Sequence, residues 1–358
     1  MAFLDWASTS PVVRFTSSKY DGRHCNPNAA YAYEERKMLM DCEECIKAAI
    51  GVKGGHVLYF RCATEAIEWL HDKSIAHQPD VEWLNSPVEH DACNFGVVCT
   101  PSGVGEYCTR AVFGREHEGR ADFYIHQWVN HITGEIFNFK AIKSQLPDTC
   151  RLIVDATAGF GKAKLPRDLD NIADALFMSG HKIGCPELSF MWLSDGLCEW
   201  LGAAKDIRNQ WGLHHGSLNV VSVMALADAV EWACDDLRQM NFVKHCMGRY
   251  SQLFVRMTNA GIDFKTICPR VKIRVINAIR LNGINADALQ QFLAARGVYV
   301  GVGGSACSAA HDYRVLRAYG LTDDEAAEVI RVSFGPETTT GDIDALVEGI
   351  KEYRRQFC

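Results

Sequence analysis

The sequence predicts an α/β chain: a large domain with a mainly parallel central sheet, followed by a smaller α+β C-terminal domain. Two observations carry this. From residue 57 to 193, short apolar strand-like runs alternate with helix-length connections, the pattern of strands joined by crossovers. After residue 234 the texture changes to a long alternating run and then helices and strands in turn. At 358 residues the chain is too long for one small core and suits two such units. The expected division is 14–228 for the large domain, with 1–13 and 229–358 forming the small one.

Taken in order, the first dozen residues read as irregular and 24–30 as a loop, from its Asn26-Pro27 pair. Met38, Leu39, Cys42, Cys45, Ile46, Ala49 and Ile50 fall on one helical face within 34–50. Strands are expected at 57–60, 81–84, 123–129, 152–155, 175–179 and 189–193. A helix is expected at 219–234, then a strand at 271–281, a helix at 286–296 and a strand at 298–302. Thr322 and Glu325 form a capping box. Ile343, Leu346, Val347, Ile350 and Tyr353 give the last helix its apolar stripe.

Composition excludes several classes. The net charge of −7, with no Lys/Arg cluster standing against it, disfavours a nucleic-acid surface. No apolar run is long enough to span a membrane. The first residues lack a basic segment followed by an apolar run, so no secretory signal is expected. The fifteen cysteines are odd in number and scattered, which reads as reduced thiols and a cytoplasmic location. Cys42 and Cys45 spell CxxC, but on a helical face without a second pair. Core packing is therefore expected there, and no metal.

The chemistry-bearing residues cluster just after strand ends, where ligands sit in open α/β sheets. Leu152-Ile153-Val154 runs into Asp155, and Phe177-Met178 runs through Ser179-Gly180-His181 to Lys182. A lysine at a buried strand end makes sense if its amine is neutral or tied up as an imine. A carboxylate that keeps a pyridine nitrogen protonated and a lysine that binds an aldehyde are what a pyridoxal phosphate enzyme needs. As ordinary strand ends the two carry no chemistry; the order of further pieces decides. Ala63-Thr64-Glu65 follows strand 57–60 at a helix start, a geometry that binds phosphate, although Thr64 reads equally well as a simple N-cap. Cys307, in Gly304-Ser305-Ala306-Cys307-Ser308, is the cysteine placed in a Gly/Ser-rich loop, where a mobile thiolate nucleophile would sit.

With these motifs in this order, the chain resembles the cysteine desulfurases, within the class V aminotransferase superfamily of fold-type I pyridoxal-phosphate-dependent enzymes. The resemblance runs from Asn26 to the C-terminus. It implies that Thr64, with Ala63, binds the cofactor phosphate, that His90 of Glu89-His90 stacks on the pyridine ring, and that Asp155 faces its nitrogen. It makes Lys182 the Schiff-base lysine, with Ser179 and His181 adding phosphate hydrogen bonds. Cys307 becomes the persulfide-forming nucleophile. Arg331 pairs with the substrate carboxylate, with Asn26 as a further substrate contact. Ser217 of His214-His215-Gly216-Ser217 reaches the phosphate of a neighbouring subunit, which implies a homodimer.

Departures from the family pattern are also legible. The glutamine that contacts the cofactor's phenolic oxygen is Ala158 here, and the asparagine beside it aligns with Asn130 or His131, Asn130 being preferred for its chemistry. The expected activity is L-cysteine desulfuration, releasing L-alanine and passing sulfur to an acceptor protein. The alternatives are a selenocysteine lyase, a C–S lyase or another class V enzyme in which Cys307 is not essential, or a non-catalytic homologue.

Overall fold

The computed structural model describes residues 1–10, 25–95, 97–98, 121–166, 168–185, 188–267, 271–303 and 313–357. Cys307 and its loop lie outside them.

A seven-stranded sheet forms the centre, in the order His56–Phe60, Ser189–Leu193, Ala175–Met178, Arg151–Asp155, Phe123–Gln127, Trp83–Asn85, Val97–Val98. The last five run parallel to one another, and Ser189–Leu193 is antiparallel to both its neighbours. Strand alternation explains why the sheet is covered on both faces. Leu58, Phe60, Ile125, Ile153, Phe177 and Met191 enter one apolar cluster. Val57, Tyr59, Tyr124, Leu152, Val154, Leu176 and Phe190 enter the other. Because register is parallel, Gln127, Asp155 and Phe177 pair across three strands, and the loops that follow all open at one sheet end.

The outer strand His56–Phe60 is closed by a side chain. Gln210 accepts from the Tyr59 N–H at 2.7 Å and donates to the Tyr59 carbonyl at 3.3 Å, replacing a strand neighbour at the edge.

A four-stranded antiparallel sheet lies in the C-terminal part, ordered Gly301–Val302, Val329–Ser333, Ile276–Leu281, Phe264–Ile267. The closing helix, Thr340–Phe357, buries the stripe read from the sequence, and the Thr322–Glu325 capping box is present.

Several expectations need correction. The opening residues are not irregular throughout: Ala2–Phe3 pair in parallel with Val298–Tyr299. The alternation at 271–281 overstates its strand, which begins at Ile276; residues 271–275 instead bridge to the loop at Glu135 and Gly134. The run 298–302 divides between two sheets. A 24-residue helix, Asp236–Asn259, occupies a stretch where no element was expected. Its signals were present in Asp235, which caps Arg238 N–H, and in Cys246, Leu253 and Met257 on one buried face.

Candidate active site

Asp155 ends the strand Arg151–Asp155 and is buried. Its Oδ1 accepts from Thr157 N–H at 2.8 Å, and Cys93 Sγ stands 4.0 Å from Oδ2. Glu89 completes a buried trio with Cys93 and Asp155, their ligand-type atoms within 4.8 Å of one another. Burial pushes the Glu89 carboxyl and the Cys93 thiol well above their usual ranges. The Cys93 thiol therefore keeps its proton near neutrality beside Asp155, while Glu89 Oε1 accepts from the Gln127 N–H at 2.8 Å.

Lys182 lies in the tight turn Gly180–Ile183 directly after the strand Ala175–Met178. Gly180 is required there. A Cβ at that position would fall 1.9 Å from the Leu188 carbonyl oxygen and 2.4 Å from that of Cys185. The Lys182 ammonium donates to the Ala7 carbonyl at 2.8 Å. Ser179 Oγ and His181 Nδ1 are 2.8 Å apart. Burial, and then the Lys182 charge, lowers the His181 pKa, so the imidazole is neutral.

His90 is lowered chiefly by burial, against the opposing pull of Asp155. Lys182 and Arg331 also act on it, which places four sequence-named groups in one electrostatic neighbourhood. Its Nδ1 accepts from Ala92 N–H at 3.2 Å, so the neutral ring carries its proton on Nε2.

Asn130 and His131 divide differently from expectation. Asn130 Oδ1 accepts from Ile132 and Thr133 N–H, both at 2.9 Å, and its Nδ2 donates to the Val88 carbonyl at 3.3 Å. Its amide is committed to its own turn. The His131 ring instead lies edge-on to His90, with centroids 5.0 Å apart. Gln127 fixes its tautomer. That amide must donate to the Val88 carbonyl and accept from the His131 N–H, so Gln127 Oε1 is an acceptor for His131 Nδ1 at 3.1 Å. The proton is on Nδ1, and Nε2 presents a lone pair. Burial holds the ring neutral, helped by His90, Arg331 and Lys182.

Arg331 is a fully buried arginine on the strand Val329–Ser333. It donates to the His131 carbonyl at 3.0 Å, Asp5 Oδ1 at 2.9 Å and Ser8 Oγ at 2.6 Å. Asp5 and Ser8 were not singled out from the sequence. Gly301 opposite is needed for this packing, since a Cβ would come within 2.9 Å of Arg331 Nε. Asn26 is not brought to Arg331 in the single chain. It is exposed and accepts from Asn28 N–H at 2.9 Å. Asn28 in turn reaches the Gly216 carbonyl at 3.3 Å, which sets this loop beside exposed Ser217.

Thr64 is the second residue of the helix Ala63–His77, not its cap. Cys62 is the cap, accepting from Glu65 N–H through sulfur at 3.4 Å. The Thr64 hydroxyl is thus not needed to cap the helix, and it sits with Ala63 at an end rich in unpaired N–H groups.

Residues 118–346 match the family described as Aminotransferase class-V. The chain belongs to the aminotransferase class-V family. Among class-V relatives, it is 25% identical to cysteine desulfurase IscS 1 of Archaeoglobus fulgidus over 97% of this chain and 95% of that one. It is 28% identical to cysteine desulfurase IscS of Shewanella halifaxensis, over 98% and 92%. Among solved structures, a NifS-like protein superposes with a TM-score of 0.77 at 21% identity, over 99% of this chain and 100% of that one. A NifS-like protein from Rickettsia africae gives 0.78 at 16%, over 99% of each. The class-V fold seen in the sheet order is the fold of these proteins. Among the described residues, no helix is long and apolar enough to cross a membrane.

Proposed function

We propose that the chain is a pyridoxal 5'-phosphate-dependent L-cysteine desulfurase that moves the substrate's sulfur onto Cys307 and releases L-alanine. One observation carries the reading: Asp155, Lys182 and Arg331 act electrostatically on a single ring, His90, at one end of the parallel strands. The desulfurase names of the relatives support it.

The residues fit the cofactor. Asp155 Oδ2 is flanked by a protonated thiol, leaving a carboxylate able to accept a hydrogen bond from a pyridine N–H and so keep that nitrogen protonated. Thr64, Ala63, Ser179 and His181 would hold the phosphate, with Ser217 reaching the neighbouring subunit of a homodimer. When bound, the cofactor supplies an electron sink for the substrate's α-carbon.

Lys182 would carry the cofactor aldehyde and take the α-proton. His90, stacked on the ring, would relay protons. His131, rather than Asn130, would face the phenolic oxygen and accept a hydrogen bond from its O–H at Nε2, because the Asn130 amide is committed to its turn. Arg331 would hold the substrate carboxylate. The Cys307 thiolate attacks the substrate sulfur: an S–S bond forms, the Cβ–S bond breaks, and its electron pair and one proton remain with the carbon that becomes the alanine methyl. The balance is L-cysteine plus thiol giving L-alanine plus persulfide, which passes to an acceptor protein in the cytoplasm. The division at 14–228 belongs to the same reading.

The test is incubation with L-cysteine, assaying alanine in solution and persulfide on Cys307 by mass spectrometry, with borohydride labelling mapped to Lys182. Alanine without persulfide would favour a C–S or selenocysteine lyase. A label on another lysine, or on none, would end the proposal.

A further inference from the structure

A cavity of about 420 Å³ lies beside the candidate site and touches it through Lys182. His90, Asp155, His131, Ser179 and Thr64 are not among its lining residues, so it is not the cleft assigned above to the cofactor. Its volume falls within the range of small-molecule pockets, roughly 300–1,000 Å³.

Two features of the lining point to a ligand. Its walls are aromatic: Trp6, Phe160, Trp232, Phe242 and Phe334. Among them stands Lys162, 6% exposed. Its Nζ has no hydrogen-bond partner among the described residues, and neither does the buried Nε2 of His245 on the same wall. An unpaired buried amine is costly and is normally partnered. Among the described residues, the other charged lining groups are Lys182, Arg238 and Glu337, which leaves a cationic excess among them. Arg238 is exposed and lies over the Trp232 ring, 5.2 Å from its centroid.

We propose that this cavity binds a small monocarboxylate with a flat aromatic body, its carboxylate paired with the Lys162 amine and its ring held between the aromatic walls. The inference does not depend on the desulfurase reading. The groups that face Lys162 or share its cavity are Lys182 from the Gly180–Ile183 turn, Cys246, His245 and Arg238 from the helix Asp236–Asn259, and Glu337. Burial lowers the Lys162 pKa to about 7, so an acid bound at pH 8 should draw a proton onto this amine.

The experiment is calorimetry on the full-length chain at pH 8 with 3-indolepropionate and, as the uncharged control, 3-indolepropionamide. The acid is expected to bind about tenfold or more tightly than the amide. Its apparent enthalpy should vary with buffer ionisation as for uptake of about one proton. Lys162→Met should remove the preference without lowering the melting temperature. Equal affinity for acid and amide, no binding of the acid at millimolar concentration, or an unaltered preference in Lys162→Met would each overturn the proposal. The buffer series on the unsubstituted chain decides the matter if the variant does not fold.

Discussion

The Asp5 carboxylate lies 2.9 Å from the guanidinium of Arg331, a contact between residues 326 positions apart. Arg331 is buried, and Asp5 is 19% exposed. The nearby N-terminal segment also supplies Ser8 to the same guanidinium and the Ala7 carbonyl to Lys182. The start of the chain is therefore part of the site's wall.

Removing Asp5 leaves a buried cation without its countercharge. Because Asp5 is partly exposed, the loss is placed below the usual cost of breaking a fully buried pair, at about 2 kcal/mol. Asp5→Ala should melt at lower temperature, and added formate, small enough to occupy the vacated carboxylate position, should recover part of the loss. Thermal melts with and without formate check this; a variant as stable as the parent would contradict it.

Cys307→Ala should reduce alanine release from L-cysteine by about 100-fold or more while the cofactor's visible absorbance is retained. Steady-state assay and an absorbance spectrum on the same preparation test both halves. Sulfide release at the parental rate would show that the thiol is not the acceptor.

His131→Asn should change the cofactor's absorbance and its pH dependence, because an acceptor Nε2 is exchanged for an amide that can also donate. A substitution at Asn130 should act on stability instead, through the 130–134 turn that its carboxamide holds. Asn130→Ala is expected to cost about 1–2 kcal/mol with the spectrum unmoved, as read by parallel melts and spectra.

Lys162 makes a pH prediction whose sign follows from its lowered pKa. The folded chain releases this proton near pH 7, whereas the unfolded chain holds it to about 10.4. Between those values the unfolded state binds more protons, so this residue's contribution to stability rises with pH. Lys162→Met should therefore stabilise by up to about 4 kcal/mol at pH 7, with the gain shrinking toward pH 10. Melting temperatures at the two ends of that range decide it.

Much of this was legible in local pattern. The strand Ser189–Leu193, the helix stripe at 343–353 and the Thr322–Glu325 box follow from periodicity and capping chemistry, which act over a few residues. The SGHK run at Ser179–Lys182 and the aspartate at 155 could be named for the same reason, since each sits at the end of its strand. Less could be read where alternation continued past its strand, as at 271–275, or where 298–302 changed partner sheets.

The sequence by itself determined the parallel-rich fold and the chemical kind of the site, because residue types and their spacing carry both. Tertiary structure decided which polar groups are already used. It committed Asn130 to its turn and left His131 Nε2 as an acceptor through Gln127. It paired Arg331 with Asp5, and left Lys162 without a partner among the described residues, in an aromatic cavity. These outcomes depend on burial and, through the Val88 contacts of Gln127 and Asn130 and the Asp5 contact of Arg331, on partners tens to hundreds of residues away, where desolvation makes a satisfied and an unsatisfied group very different in energy. No local pattern encodes that difference.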